Sequence, residues 1–170
     1  MGKLIGTFTL VLMALGLLGS SSAAGHSQPG DATPTPATGI TTEVLGQGQP
    51  SDVPGMMLWL LRITFEPGAV AASHSHPGSS VFTIQSGSIT FMLEEGTVTL
   101  HRAGTIATPA AAEEISAGTE FTLNAGDTVF YESDAVFSEV NEGDEPAVIL
   151  VANLRGEEEP ARVPAATPAA

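Results

Sequence analysis

The stretch Gly68–Gly87, GAVAASHSHPGSSVFTIQSG, decides how the chain reads. Side chains alternate faces along an extended strand, so His74 and His76 point the same way and can reach one ion or ligand, with Ser73 and Ser75 on the opposite side. An isolated H-x-H is commonly two solvated imidazoles in a polar loop. This pair is framed: Pro67-Gly68 precedes it, Pro77-Gly78 follows it, and the strand-like run Ser80–Gln85 then closes at Ser86-Gly87.

Working outward, strand patterning continues on both sides. Trp59, Leu61, Ile63 and Phe65 alternate with Leu60, Arg62, Thr64 and Glu66, which predicts a strand with one strongly apolar face and places Trp59 in the core. Arg62 then points to solvent or to Glu66. Ile89, Phe91 and Leu93 repeat the pattern, Glu94-Glu95-Gly96 reads as a turn, and Val98 and Leu100 continue on a return strand. Phe121 and Leu123, then Val129–Tyr131, follow. Ala147–Leu154 is nearly continuous apolar, the pattern of a strand covered on both faces. Residues 103–118 form the connection, with room for a helical turn at Ala110–Glu114. Short strands with Gly-rich turns and no helical period give an all-β class, sandwich or barrel.

The residues around the H-x-H pair resemble the first motif of the cupin family, G-x5-H-x-H-x3-E-x6-G. Gly68, His74, His76 and Gly87 fall on its places, and Ser80 stands where the family has its glutamate. A second motif, G-x5-P-x-G-x2-H-x3-N, aligns with residues 126–141: Gly126 and Asn141 match, while Glu132, Asp134 and Phe137 replace its proline, glycine and histidine. The resemblance implies a single antiparallel cupin-type β-barrel, or jelly roll, over residues 41–155. Family members hold one divalent metal with three imidazoles and a carboxylate, and imidazole with carboxylate suits Fe, Mn, Zn, Ni or Cu. Here His74 and His76 keep their places and two ligands are replaced, so a barrel with no metal is the equal alternative. The resemblance also implies a homodimer.

Glu139 lies two residues after Phe137 and on a regular strand faces the same side, about 7 Å along. His74, His76 and Glu139 would then make a two-His, one-carboxylate set. The competing reading has Glu139 turned away at a bulge or at the barrel mouth. Phe137 makes the pocket wall apolar, and with Ser80 and Tyr131 supplying polar groups the site becomes a small-molecule pocket. Ser80 is placed to hydrogen-bond an imidazole or a bound molecule. Tyr131 faces either inward or outward, since Val129 and Phe130 compete for the inner face. His101, outside both motifs, reads as a turn residue. Three functions stand on these residues: a small-molecule-binding module, a metal-dependent oxygenase-like enzyme completed by Glu139, and a storage-type barrel without an active pocket.

The ends differ from the middle. Lys3, the apolar run Leu4–Leu18 and the small residues around Ala24 read as a signal peptide over residues 1–24, so the mature protein is expected to be exported, outside the cell or in the periplasm. The alternative is an uncleaved membrane anchor. Residues 25–40, which include a solvated His26, read as a disordered linker, and residues 156–170 as a disordered acidic and Pro/Ala tail. The 170 residues contain no cysteine, so stability rests on packing without disulfides. Asp and Glu number 19 against 5 Lys and Arg, and Lys3 is the sole lysine. Such a chain lacks the basic patch that nucleic acid or an anionic lipid surface requires, which leaves a small molecule as the expected partner.

Overall fold

A computed structural model describes residues 38–104 and 111–165. The signal-peptide segment and nearly all of the linker lie outside the described residues. Among those described, no helix is long and apolar enough to cross a membrane. The strands are β1 (Ile40–Gly48), β2 (Met56–Phe65), β3 (Val70–Ser75), β4 (Ser79–Ser86), β5 (Ser88–Glu95), β6 (Thr97–His101), β7 (Ala112–Ser116), β8 (Thr119–Asn124), β9 (Thr128–Tyr131), β10 (Val136–Val140), β11 (Ala147–Gly156) and β12 (Val163–Pro164).

They form two antiparallel sheets, β1-β2-β11-β4-β9-β6-β7 and β12-β3-β10-β5-β8. The fold is all-β, an antiparallel jelly roll. Alternation decides which side chains meet between the sheets. Ile89, Phe91 and Leu93 from β5 meet Leu61 and Phe65 from β2, Phe82 and Ile84 from β4, and Ile149 and Val151 from β11 in one apolar core. Trp59 packs against its edge.

The chain switches sheet where the sequence showed only turns. Glu94-Glu95-Gly96 does not close a hairpin: β5 pairs with β8 and β10, whereas β6 lies in the other sheet between β7 and β9. The corners at Gly87 and Gly96 have φ of 73° and 77°, a conformation that a Cβ strains. A Cβ at Gly87 would also stand 2.8 Å from the Ala147 Cα, so both space and backbone require glycine there.

Two further expectations are corrected. Residues 112–116 build no helical turn; β7 pairs along β6, from Ala112 opposite His101 to Ser116 opposite Thr97. Strand β11 is central, but its faces differ: Ala147, Ile149, Val151, Asn153 and Arg155 are buried inside, and Val148, Leu150, Ala152 and Leu154 are only half-buried outside. Arg62 points to solvent, one of its two expected directions, with a 40% exposed side chain, and there it pairs with Glu43 at 2.7 Å rather than with Glu66.

The polar residues at the far end of the second motif are structural. Asn141, fully buried, donates from Nδ2 to the carbonyls of Phe65 and Glu145, both at 2.9 Å, and accepts the Gly143 N–H at 2.9 Å. Its backbone carbonyl accepts from Gly68, so one glycine and the asparagine of the two motifs meet directly. Nearby, Asp127 accepts from the Ala103 and Asn124 N–H groups and from Arg102 at 2.8 to 3.0 Å.

Candidate functional site

The opposite end of the jelly roll holds the H-x-H pair. Strand β3 carries His74 and the chain continues directly to His76, so the two-residue period brings both imidazoles inward, Nε2 to Nε2 at 3.0 Å. Strand β10 lies alongside with Phe137 opposite His74. A bulge follows between Phe137 and Glu139, yet Glu139 stays buried and turned toward the pair. Its Oε2 is 3.6 Å from His74 Nε2 and has no hydrogen-bond partner.

The hydrogen bonds assign the His76 proton and leave His74 contested. The Ala161 carbonyl can only accept, so His76 carries its proton on Nδ1, 2.5 Å from that oxygen. His74 Nδ1 lies 2.9 Å from the Ala72 carbonyl, which calls for a proton there, while its Nε2 faces His76 Nε2 at 3.0 Å, where two lone pairs would repel. Arg162 Nη2 lies 3.0 Å from the same His74 Nδ1 and donates to the Ala72 carbonyl at 2.5 Å.

Burial sets the charges. It pulls His74 down to about 3, helped by the fields of His76 and Arg162, and pulls His76 down to about 4. It pushes Glu139 up to about 8. Near neutral pH both imidazoles are neutral and Glu139 holds its proton. Tyr131 faces inward and Phe130 outward, and burial raises the Tyr131 phenol above its ordinary range.

Ser80 is buried as well, but it reaches neither imidazole. Its Oγ accepts from Asn153 Nδ2 at 2.8 Å. Asn153 in turn accepts from Arg155 Nη1 at 2.6 Å, and the Arg155 guanidinium lies 4.7 Å over the Trp59 ring. Phe137 sits among these groups, its ring 5.1 Å from His74, 5.8 Å from His76 and 5.2 Å from Tyr131. Together they bound a cavity of about 130 Å³ whose far wall is apolar, including Phe82, Phe91 and Ile149.

The site includes residues that the motifs did not single out. Asn153 was visible as the one polar residue within an apolar run. Arg162 was not, because it lies in the stretch read as a disordered tail. That expectation is corrected for residues 156–165: Val163 and Pro164 pair with Ser75 and His74, and Ala161 and Arg162 bond the two histidines. His101, exposed at the end of β6, is remote from the cavity lining.

Residues 61–113 match the Cupin_2 family model, described as a cupin domain. The domain has a cupin-type fold. Solved structures similar to it include a DMSP lyase structure (RdDddP and RnDddQII), 17% identical over 64% of this chain and 44% of that one, TM-score 0.45. The Cupin_2 domain of an XRE family transcriptional regulator from Enterobacter cloacae is 13% identical over 69% and 96% of the two chains, TM-score 0.45. A cupin 2 domain-containing protein from Halorhodospira halophila is 15% identical over 75% and 72%, TM-score 0.46. The chain spans less than half the length of the lyase chain. No curated protein matches it.

The metal implied by the family was tested against the donors. Among the described residues no three His, Cys, Asp or Glu side chains are grouped to hold an ion. His74 meets both His76 and Glu139, but no ion pair joins His76 to Glu139, and Phe137 occupies the position of the missing histidine. The Arg162 guanidinium, bonded to His74, further opposes a cation. As arranged, this set does not fit a metal centre.

Proposed function

We propose that this cupin is an exported small-molecule-binding module whose pocket is centred on His74 and His76, with Ser80, Tyr131 and Phe137 contributing to its walls. The observation that carries the reading is the cavity itself: a mostly apolar wall with a few convergent polar groups at one end, the usual composition of a small-ligand site. An engineered apolar cavity of about 150 Å³ binds benzene, so about 130 Å³ suits a body of similar size. The ring states favour binding over acid–base catalysis. An imidazole near 3 or 4 is a weak base at neutral pH. Export rests on the pattern of residues 1–24, and a homodimer on the family. The apolar outer row Leu60, Ala152, Val81 and Phe130 supports sheet-to-sheet pairing.

The test is elemental analysis of the untagged protein combined with benzene binding followed by NMR. The expected result is benzene-dependent shifts confined to cavity residues, with no stoichiometric metal. Near-stoichiometric metal that disappears in His74→Ala/His76→Ala would overturn this reading in favour of the metal-dependent enzyme. Absence of both metal and benzene binding would favour the storage-type barrel.

A further inference from the structure

The protein has 19 acidic side chains against 5 basic ones, so carboxylates are available to nearly every cation. Two arginines take them: Arg62 pairs with Glu43 at 2.7 Å, and Arg102 with Asp127 at 3.0 Å and Glu113 at 4.0 Å. The other two, Arg155 and Arg162, make no ion pair with a carboxylate among the described residues, and both line the cavity. Arg155 is buried, 6% exposed, and held by neutral partners: the Asn153 amide oxygen, the Glu159 backbone carbonyl and the Trp59 ring. Arg162 is held by the Ala72 carbonyl and His74 Nδ1. His76 lies in the field of both guanidiniums. Glu159 acts on Arg155 and Glu139 on Arg162 through space, but neither carboxylate forms an ion pair with its guanidinium, so part of the cost of burying these cations is left for a bound anion to offset.

From this we infer that the ligand of the cavity is a small organic monoanion, a carboxylate with a compact apolar body. Arg155 and Arg162 take the charged end at the mouth, and the body lies against Phe82, Phe91 and Ile149. The inference deepens the binding reading and rests on it. Donors remain for the purpose: Arg162 has used only Nη2, and Arg155 only Nε and Nη1, so each keeps N–H groups with no partner among the described residues. Charge-assisted bonds from a guanidinium to a carboxylate are about twice as strong as neutral ones. The arrangement also explains why a segment of Pro/Ala composition is drawn back over the barrel: it delivers Arg162 to the mouth.

The experiment titrates the full chain at pH 7 with isobutyrate, with its neutral isostere isobutyramide, and with benzene. Isobutyrate is expected to bind on the order of tenfold tighter than isobutyramide. Arg162→Gln should reduce that ratio to near one while leaving benzene binding in place, and Arg162→Lys should restore part of it. Equal binding of the acid and the amide, or a ratio unchanged in Arg162→Gln, overturns the anion inference while benzene binding preserves the cavity reading. Failure of benzene as well as both isosteres overturns the cavity reading and the inference with it. Should Arg162→Gln fold poorly, the acid-to-amide ratio of the wild-type protein decides alone.

Discussion

The two ends of this jelly roll treat buried polar groups in opposite ways. At the end held by Asn141 and Asp127, the asparagine amide bonds the Phe65 and Glu145 carbonyls and the Gly143 N–H, and the aspartate takes two backbone N–H groups and Arg102. At the end held by His74 and Glu139, a carboxyl oxygen has no hydrogen-bond partner and two guanidiniums make no ion pair with a carboxylate among the described residues. Hydrogen bonds satisfied in every direction fix a fold, whereas open ones store free energy that a ligand can release. The same motif positions therefore divide into two kinds, with Gly68, Gly87, Gly126 and Asn141 serving architecture and His74, His76, Ser80 and Phe137 shaping a cavity.

The sharpest way to break this contrast is at the satisfied end. Asn141→Ala strands two carbonyls and an N–H in a site closed to water, and should cost about 2–4 kcal/mol in denaturant unfolding. An outcome under about 0.5 kcal/mol would mean that the site relaxes or hydrates, and the contrast between the ends would fail.

A smaller effect is expected from pH. His74 and His76 are lowered in the fold, so the stability they contribute is present above about 6.5 and lost as pH falls toward 4 and 3. Glu139 is raised, so between its ordinary value and about 8 the unfolded chain sheds a proton that the native protein keeps, and stability falls as pH rises. Near pH 6.5 the two half-titrated imidazoles of the unfolded chain balance the one carboxyl, so unfolding free energy should peak there. Glu139→Gln should abolish the alkaline decline and keep the acid one. A variant profile that still falls between pH 6.5 and 8 would show that another group carries it.

The smallest effect belongs to the surface. Arg62→Ala removes an exposed ion pair with Glu43, and should change stability by about 0.5 kcal/mol or less. A loss several times larger would mean that β1 depends on this pair for its place beside β2.

The strands were legible because alternation is a local property: Ile89, Phe91 and Leu93 announce a buried face without reference to any other segment. Sheet membership was not, since Glu94-Glu95-Gly96 reads as a hairpin turn and only the packing of β5 beneath β10 shows that it is a corner. The histidine pair was legible from its spacing. Glu139 could be placed on the right face, but its lack of a partner depends on side chains from three strands. Arg162 was hidden because local composition governs the expectation of disorder, while its fixed position comes from two backbone pairings with β3 and a guanidinium bonded across the chain.

Strand β11 has a consequence for the time at which the protein can form. It is the shared neighbour of β2 and β4, pairing Met56 with Gly156 and Ser86 with Val148. Until synthesis passes residue 156, the larger sheet lacks its centre, and β1-β2 and β4-β9 are separate ribbons with exposed edges. Loop closure over about 100 residues must precede the main burial step, so folding should be slow, on the millisecond-to-second scale of non-local β topologies. Stopped-flow refolding of the full chain would read that rate, and a microsecond phase carrying the full amplitude would contradict it. Through that interval a nascent chain presents extended, unpaired strand edges to whatever escorts it.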